Sequence, residues 1–250
     1  MTGINMDAMR RKLAEQEKKT NGNKDLFWKP PEGESTIRIV PTADGDPFKD
    51  FWFHYNIPGN PGFLSPKKNF GEDCPLDRFV RQLFDEGGEE NIKMAKSLMA
   101  RQRFFAPVIV RGEEDKGVRV WGFGKTAYVE LLNLVLNPDY GDITDPESGT
   151  DLVLKYGKPP GAQFPQTSLT PRRRTSPMLE TADEVAGALE SVPDFSKLFE
   201  RKSAAEVQTI LDEFLLSNDD VEEVSRESAR FGKTGSDSEM VDKAFQDLMS

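Results

Sequence analysis

Between residues 27 and 156 the chain sets short apolar runs between turn-forming residues. Residues 35–40 (STIRIV) and 117–123 (GVRVWGF) place apolar side chains at every second position, 50–55 (DFWFHY) is dense in aromatics, 104–111 (FFAPVIVR) is apolar, and 151–156 (DLVLKY) alternates again. A period of two is the mark of a strand with one buried face. Turn residues at Asp44-Gly45-Asp46-Pro47, 58–62 and 112–117 separate the runs. Five short strands in roughly 130 residues predict a small closed or partly open barrel rather than a βαβ fold.

Helical spacing interrupts and follows these strands. Residues 77–102 read as a helical hairpin broken at Gly87-Gly88, and 126–137 (TAYVELLNLVLN) as an amphipathic helix stopped by Pro138. Two further helical stretches cover 182–190 and 195–216. At the start, residues 6–20 are charged and carry only Met6, Met9 and Leu13 on an apolar stripe, ending at Asn21-Gly22-Asn23. So little apolar surface predicts a helix only when it is docked on something. Residues 217–235 are polar enough to expect disorder. The last run, 238–248, sets Met240, Val241, Ala244, Phe245 and Leu248 at helix spacing in an acidic setting, a short recognition helix for a partner's groove. The organisation expected is a basic arm at 1–23, a mainly β core at 24–178 with a helical insert near 75–102, helices at 179–216 packed on the core, and an acidic tail at 217–250.

Charge sharpens this division. The net charge is −10, yet residues 1–174 hold 26 basic and 25 acidic side chains while 175–250 hold 7 and 18. A near-neutral core with a polyanionic end suits a tail that competes with a polyanionic ligand or recruits basic partners. No apolar run reaches the ~18 residues of a membrane span, and the basic, polar start lacks an apolar signal region, so export and membrane insertion are not expected. One cysteine, Cys74, excludes an internal disulfide, and with the lone His54 it cannot supply an ordinary four-ligand zinc site. A reducing cytoplasm fits.

The chemistry suggested is recognition. Holding an unpaired strand requires cations for phosphates and exposed ring faces for bases. The chain interleaves the two types: Arg101, Arg103, Phe104, Phe105 and Arg111 bracket one strand, and Arg119, Trp121, Phe123 and Lys125 make up the next. Lys67 and Lys68 precede Phe70, and Phe164 precedes the triplet Arg172-Arg173-Arg174 in a Pro-rich extended segment. Alternation puts Val118 and Val120 on one face and Arg119, Trp121 and Phe123 on the other. Adjacent rings in Phe104-Phe105 and in Phe51-Trp52-Phe53 must likewise divide between faces, so one of each group leaves the interior or is covered by a helix. Catalysis has little support, since Gly122-Phe123-Gly124-Lys125 lacks the spacing of a phosphate-binding loop and neither His54 nor Cys74 has the neighbours of a nucleophile site. An acidic-tailed scaffold without DNA binding and a metal-dependent nuclease are the alternatives.

Five stretches taken in order carry a resemblance. They are Asn21-Gly22-Asn23-Lys24, Asn69-Phe70-Gly71-Glu72-Asp73-Cys74-Pro75, Arg103 to Val110, Gly122-Phe123-Gly124-Lys125, and Thr170-Pro171-Arg172-Arg173-Arg174. Together they resemble the single-stranded-DNA-binding, helix-destabilising proteins of T-even-type phages, in the versions found in cyanophages. The resemblance implies an OB-fold five-stranded barrel core that binds the strand in a cleft, in the cytoplasm of a bacterial host. It also implies cooperative, sequence-independent binding during phage DNA replication, recombination and repair. The N-terminal arm would bind the adjacent copy through Arg10, Arg11 and Lys12, although Leu13 and Ala14 stand where that family has a Ser/Thr pair. Met240, Val241, Phe245 and Leu248 would meet replication and recombination proteins. That family's zinc site uses one His and three Cys. Here His54 and Cys74 remain, Asp77 stands at the second position of the Cys-Pro-x-Cys pattern, and no cysteine occurs around Leu64-Ser65-Pro66, so no zinc or other cofactor is expected.

Overall fold

The ten residues of Arg101–Val110 make the longest strand, and the rest of the sheet is arranged about it. In the computed structural model, residues 26–225 are described, apart from residue 163 and the side chains of 217–225. The expected roles of Arg10, Arg11 and Lys12 in the arm, and of Met240, Val241, Phe245 and Leu248 in the tail, therefore lie outside the described residues.

Among the described residues eight strands form one mixed sheet: β1 (Phe27–Trp28), β2 (Gly33–Ile39), β3 (Lys49–His54), β4 (Phe63–Leu64), β5 (Arg101–Val110), β6 (Arg119–Phe123), β7 (Leu152–Gly157) and β8 (Gln166–Pro171). Their order is β1-β6-β5-β2-β7-β8, with β3 added to β5 and β4 to β3. One edge of β5 thus serves two strands. Its first half pairs with β3 from Phe53↔Arg101 to Lys49↔Phe105, and its second half with β2 from Ile39↔Val108 to Ile37↔Val110. The five predicted strands are all present. Three more, β1, β4 and β8, were not foreseen, and among the described residues no pairing joins β8 back to β1, so the sheet is open rather than closed.

Among the described residues six helices accompany it: α1 (Pro66–Phe70), α2 (Pro75–Glu86), α3 (Glu89–Leu98), α4 (Lys125–Val135), α5 (Ala182–Glu190) and α6 (Ala204–Ser225). The hairpin break falls at Gly87-Gly88 as expected, both with positive φ. Thr181 and Glu184 form a reciprocal capping box that starts α5. The expected helix at 195–216 begins later: Phe195–Lys197 is a single 3-10 turn, and α6 then continues through Ser225, into the stretch expected to be disordered. Among the described residues no helix is long and apolar enough to cross a membrane.

Both faces of the sheet are covered. On one, Ile37, Ile39, Phe104, Val108, Trp121, Phe123, Leu152 and Leu154 pack beneath Ala127 and Leu131 of α4. Full burial of a side chain such as Leu131 contributes about 1.5–3 kcal/mol. On the other, Phe53, Phe105 and Val120 pack against Phe195 and Phe199, while Ile109 and Val118 meet Met178 and Ala188. The inserted helices build a separate core of Cys74, Leu76, Val80, Leu83, Ala95 and Leu98, closed by Val207, Leu211 and Phe214 of α6. Of the two C-terminal helices, α5 packs on the sheet and α6 on the insert.

Candidate functional site

The rings assigned by sequence to a strand-binding face lie in the core. Phe105 is 0% exposed and packs edge-on against Phe51 and Phe53. Trp121 is 1% exposed, 4.3 Å from the Phe123 ring and 6.4 Å from Trp28, centroid to centroid. Phe104 is stacked between Tyr128 and Phe123. The alternation read from the sequence is correct, but α4 covers one of the two faces and the 178–199 segment the other. As they stand, Phe104, Phe105, Trp121 and Phe123 do not offer a surface to a base, which corrects the expectation for all four.

The arginines among them have internal partners too. Arg119 is buried, and its Nη2 donates to Glu113 Oε2 at 2.6 Å. Arg111 is half-buried and forks onto Asp151, with Nε to Oδ2 at 3.1 Å and Nη2 to Oδ1 at 2.9 Å. Arg101 donates from Nη2 to the Lys96 carbonyl at 2.8 Å, and Arg103 lies half-buried opposite Phe51. These four do not form one basic groove. Arg111 and Arg119 are committed to carboxylates of the chain itself, a second correction.

What remains on the surface is a different set. Lys67, Lys68 and Lys125 are exposed, and Lys68 Nζ sits 5.3 Å from the centre of the half-buried Trp52 ring. Arg172, Arg173 and Arg174 are all exposed at the exit of β8, and Phe164 is half-buried at its entry. Lys155 and Lys158 add two exposed cations on the same hairpin, while Tyr156, next to Lys155, lies on the opposite face of β7 and packs against the core with Leu152 and Leu154. Among the described residues none of these five cations takes part in an ion pair, while Arg172 Nη2 donates to Thr36 Oγ1 at 3.1 Å. Periodicity and motif do not single out Lys155 and Lys158, although a signal exists: residues 152–179 contain five cations and no carboxylate, in a chain of net charge −10. The hairpin ends the sheet, because among the described residues β8 pairs only with β7.

A second cluster sits between the sheet and the insert. His54 Nδ1 donates to the Leu98 carbonyl at 2.9 Å, which turns Nε2 toward Asp77 Oδ2 at 3.4 Å and Cys74 Sγ at 3.7 Å. Ser65 Oγ donates to Asp77 Oδ2 at 2.7 Å and accepts from Lys68 N, capping α1. Burial opposes a charge on His54, but the Asp77 carboxylate and the Cys74 thiol outweigh it and raise the imidazole to about 9. Burial likewise disfavours the Asp77 carboxylate, and the bond to His54 overcomes this and holds it at about 2. Both groups are therefore charged near neutrality. The three donor atoms lie within 4.8 Å of one another and could approach a common ion. A closed structural zinc site takes four nitrogen or sulfur donors. Here the fourth neighbour is the Ser65 hydroxyl, already engaged as donor and cap, so the side chains suit an imidazolium–carboxylate pair better than that metal.

No protein-family model matches the chain, and no curated protein matches it.

Proposed function

We propose that this protein is a non-enzymatic, sequence-independent binder of single-stranded DNA, serving phage replication, recombination and repair. The observation that carries this reading is the β7–β8 hairpin: Lys155, Lys158, Arg172, Arg173 and Arg174 are exposed, no carboxylate lies between residues 152 and 179, and Phe164 is half-buried at the entry of β8. Such a surface attracts phosphates by counterion release and offers π-faces to unpaired bases. Trp52 beneath Lys68 supplies a further ring and cation.

The finer parts of the reading follow the sequence resemblance. They comprise a core related to the OB barrel, an arm joining neighbouring copies along the strand, an acidic tail that competes for the basic surface and recruits replication and recombination proteins, and residence in the cytoplasm of a bacterial host. No cofactor belongs to it, and the His54–Asp77 pair takes the place of zinc. Salt titration of oligo-dT binding is the test, with tight binding that weakens steeply as salt rises as the expected result. The burial of Phe104, Phe105, Trp121 and Phe123 favours a second reading, an acidic-tailed scaffold that leaves DNA alone. Binding that is undetectable at low salt would select it. Degradation of a labelled oligonucleotide in Mg²⁺ would instead mark a nuclease.

A further inference from the structure

Two arginines grip one short backbone segment from beneath. Arg38 on β2 is 0% exposed, and its Nη2 donates to the Ser176 carbonyl at 2.7 Å, the Ser176 hydroxyl at 2.8 Å and the Gly149 carbonyl at 3.0 Å. Arg111, at the end of β5, donates to the Pro177 carbonyl at 2.9 Å and the Met178 carbonyl at 2.7 Å. Three consecutive carbonyls, 176 to 178, are thus each held by a guanidinium. Asp151 joins the pair, accepting from Arg38 Nε at 2.9 Å, from the Arg111 fork, and from Ser176 Oγ at 3.2 Å. Gly149 permits the approach: a Cβ there would stand 2.5 Å from the Asp145 carbonyl oxygen and 2.7 Å from that of Ile143.

The opposite end of the segment is fixed as well. The β7–β8 ladder runs to Leu152↔Pro171, and Arg172 N donates to the Asp151 carbonyl at 2.9 Å. Residues 172–175 therefore span two anchored points, and all four are exposed. Buried ion pairs are weak grounds for stability, because desolvation offsets the attraction. Their forked geometry is what a lysine could not reproduce.

We infer that Arg38 and Arg111 are positioning residues, which do not meet a nucleic-acid strand themselves but clamp the 176–178 backbone so that Arg172, Arg173 and Arg174 are held ready as one phosphate-binding ridge. The inference rests on the single-strand reading above. Holding the ridge in advance removes the entropy that three mobile cations would lose on binding. It also explains why Arg111, charged and only half-buried, is turned away from solvent toward carbonyls.

Arg111→Lys is the informative variant, since it keeps the charge and the number of tryptic sites but loses the fork. Oligo-dT affinity and its salt slope are measured in four full-length proteins: wild type, Arg111→Lys, the triple alanine variant of Arg172, Arg173 and Arg174, and the combination. Trypsin cleavage within the triplet is followed without DNA, with cleavage after Arg103 inside β5 as the reporter of global opening. The expected result for Arg111→Lys is a roughly fivefold weaker affinity with a flatter salt slope. Triplet cleavage should quicken several-fold at an unchanged rate after Arg103, and Arg111→Lys should have no further effect on binding once the triplet is gone. Wild-type affinity in Arg111→Lys, an equal loss in both backgrounds, or unchanged triplet cleavage would each overturn the inference. If the triple variant binds oligo-dT undiminished, the single-strand reading falls instead, while the cleavage arm still decides whether Arg111 orders the segment.

Discussion

The ring of Tyr128 on α4 lies 3.9 Å from that of Phe104 on β5, centroid to centroid, with 13° between their planes. The place a base would take over Phe104 is filled by a side chain of the same protein. Phe104→Leu should therefore reduce the free energy of unfolding by about 1–2 kcal/mol, through lost area and a lost ring pair. Affinity for oligo-dT should be unchanged. Urea unfolding and a binding titration on the same preparation check both halves, and a large loss of affinity at wild-type stability would return Phe104 to the interface.

Replacing Arg172, Arg173 and Arg174 together by alanine removes three exposed cations that have no ion-pair partner among the described residues. Each phosphate neutralised on a single strand contributes about 0.7 to the slope of log K against log salt. The triple variant should bind oligo-dT more weakly at low salt and show a slope smaller in magnitude by about 2. The fold should be indifferent to the change, which circular dichroism can verify.

The three tryptophans differ in their access to a ligand. Trp28 and Trp121 are buried, whereas Trp52 is half-buried under Lys68. Quenching of fluorescence by oligo-dT should then come from Trp52: Trp52→Phe should abolish the change and Trp121→Phe should retain it. Trp52→Ala should cost about 1–3 kcal/mol of binding, the range for one stacked base. Quenching that persists in Trp52→Phe would place the strand elsewhere.

Stability should depend on pH through His54 and Asp77. The folded imidazole titrates at about 9 against an ordinary 6.5, so its contribution is complete below 6.5 and is lost as pH rises through 9. Asp77, held at about 2 against 3.8, contributes fully above 3.8 and loses its share as pH falls through 2. The plateau lies between about 4 and 6.5, with a fall of a few kcal/mol toward pH 9. Asp77→Asn should lower the plateau and flatten that fall, as read from urea midpoints at pH 6 and pH 9. A profile identical to wild type would sink the ion-pair description.

Local signals in the sequence translated well where the cause was local. Gly87-Gly88 broke the helical hairpin, and the alternation of Val118, Val120 and Trp121 gave the correct faces. β8 escaped notice because residues 166–171 (QTSLTP) carry one large aliphatic side chain, Leu169, and an edge strand needs little more. What covers a face is a tertiary matter. Nothing near Phe104 announces Tyr128, and nothing near Arg111 announces Asp151, 40 residues further on. Cations were therefore assigned to phosphate that the chain had already paired with its own carboxylates, while the acid-free stretch around Lys155 and Lys158 passed unremarked.

The doubly used edge of β5 sets how the molecule comes apart. Its first half is bonded to β3, which leads into the insert, and its second half to β2, which carries the basic hairpin through β7. Neither module can detach without stripping amides from the same strand. Loss of structure should thus be a shared event, with the β5 backbone protons the last to exchange with solvent. A disturbance beginning at the helices should reach the cationic edge through that one strand.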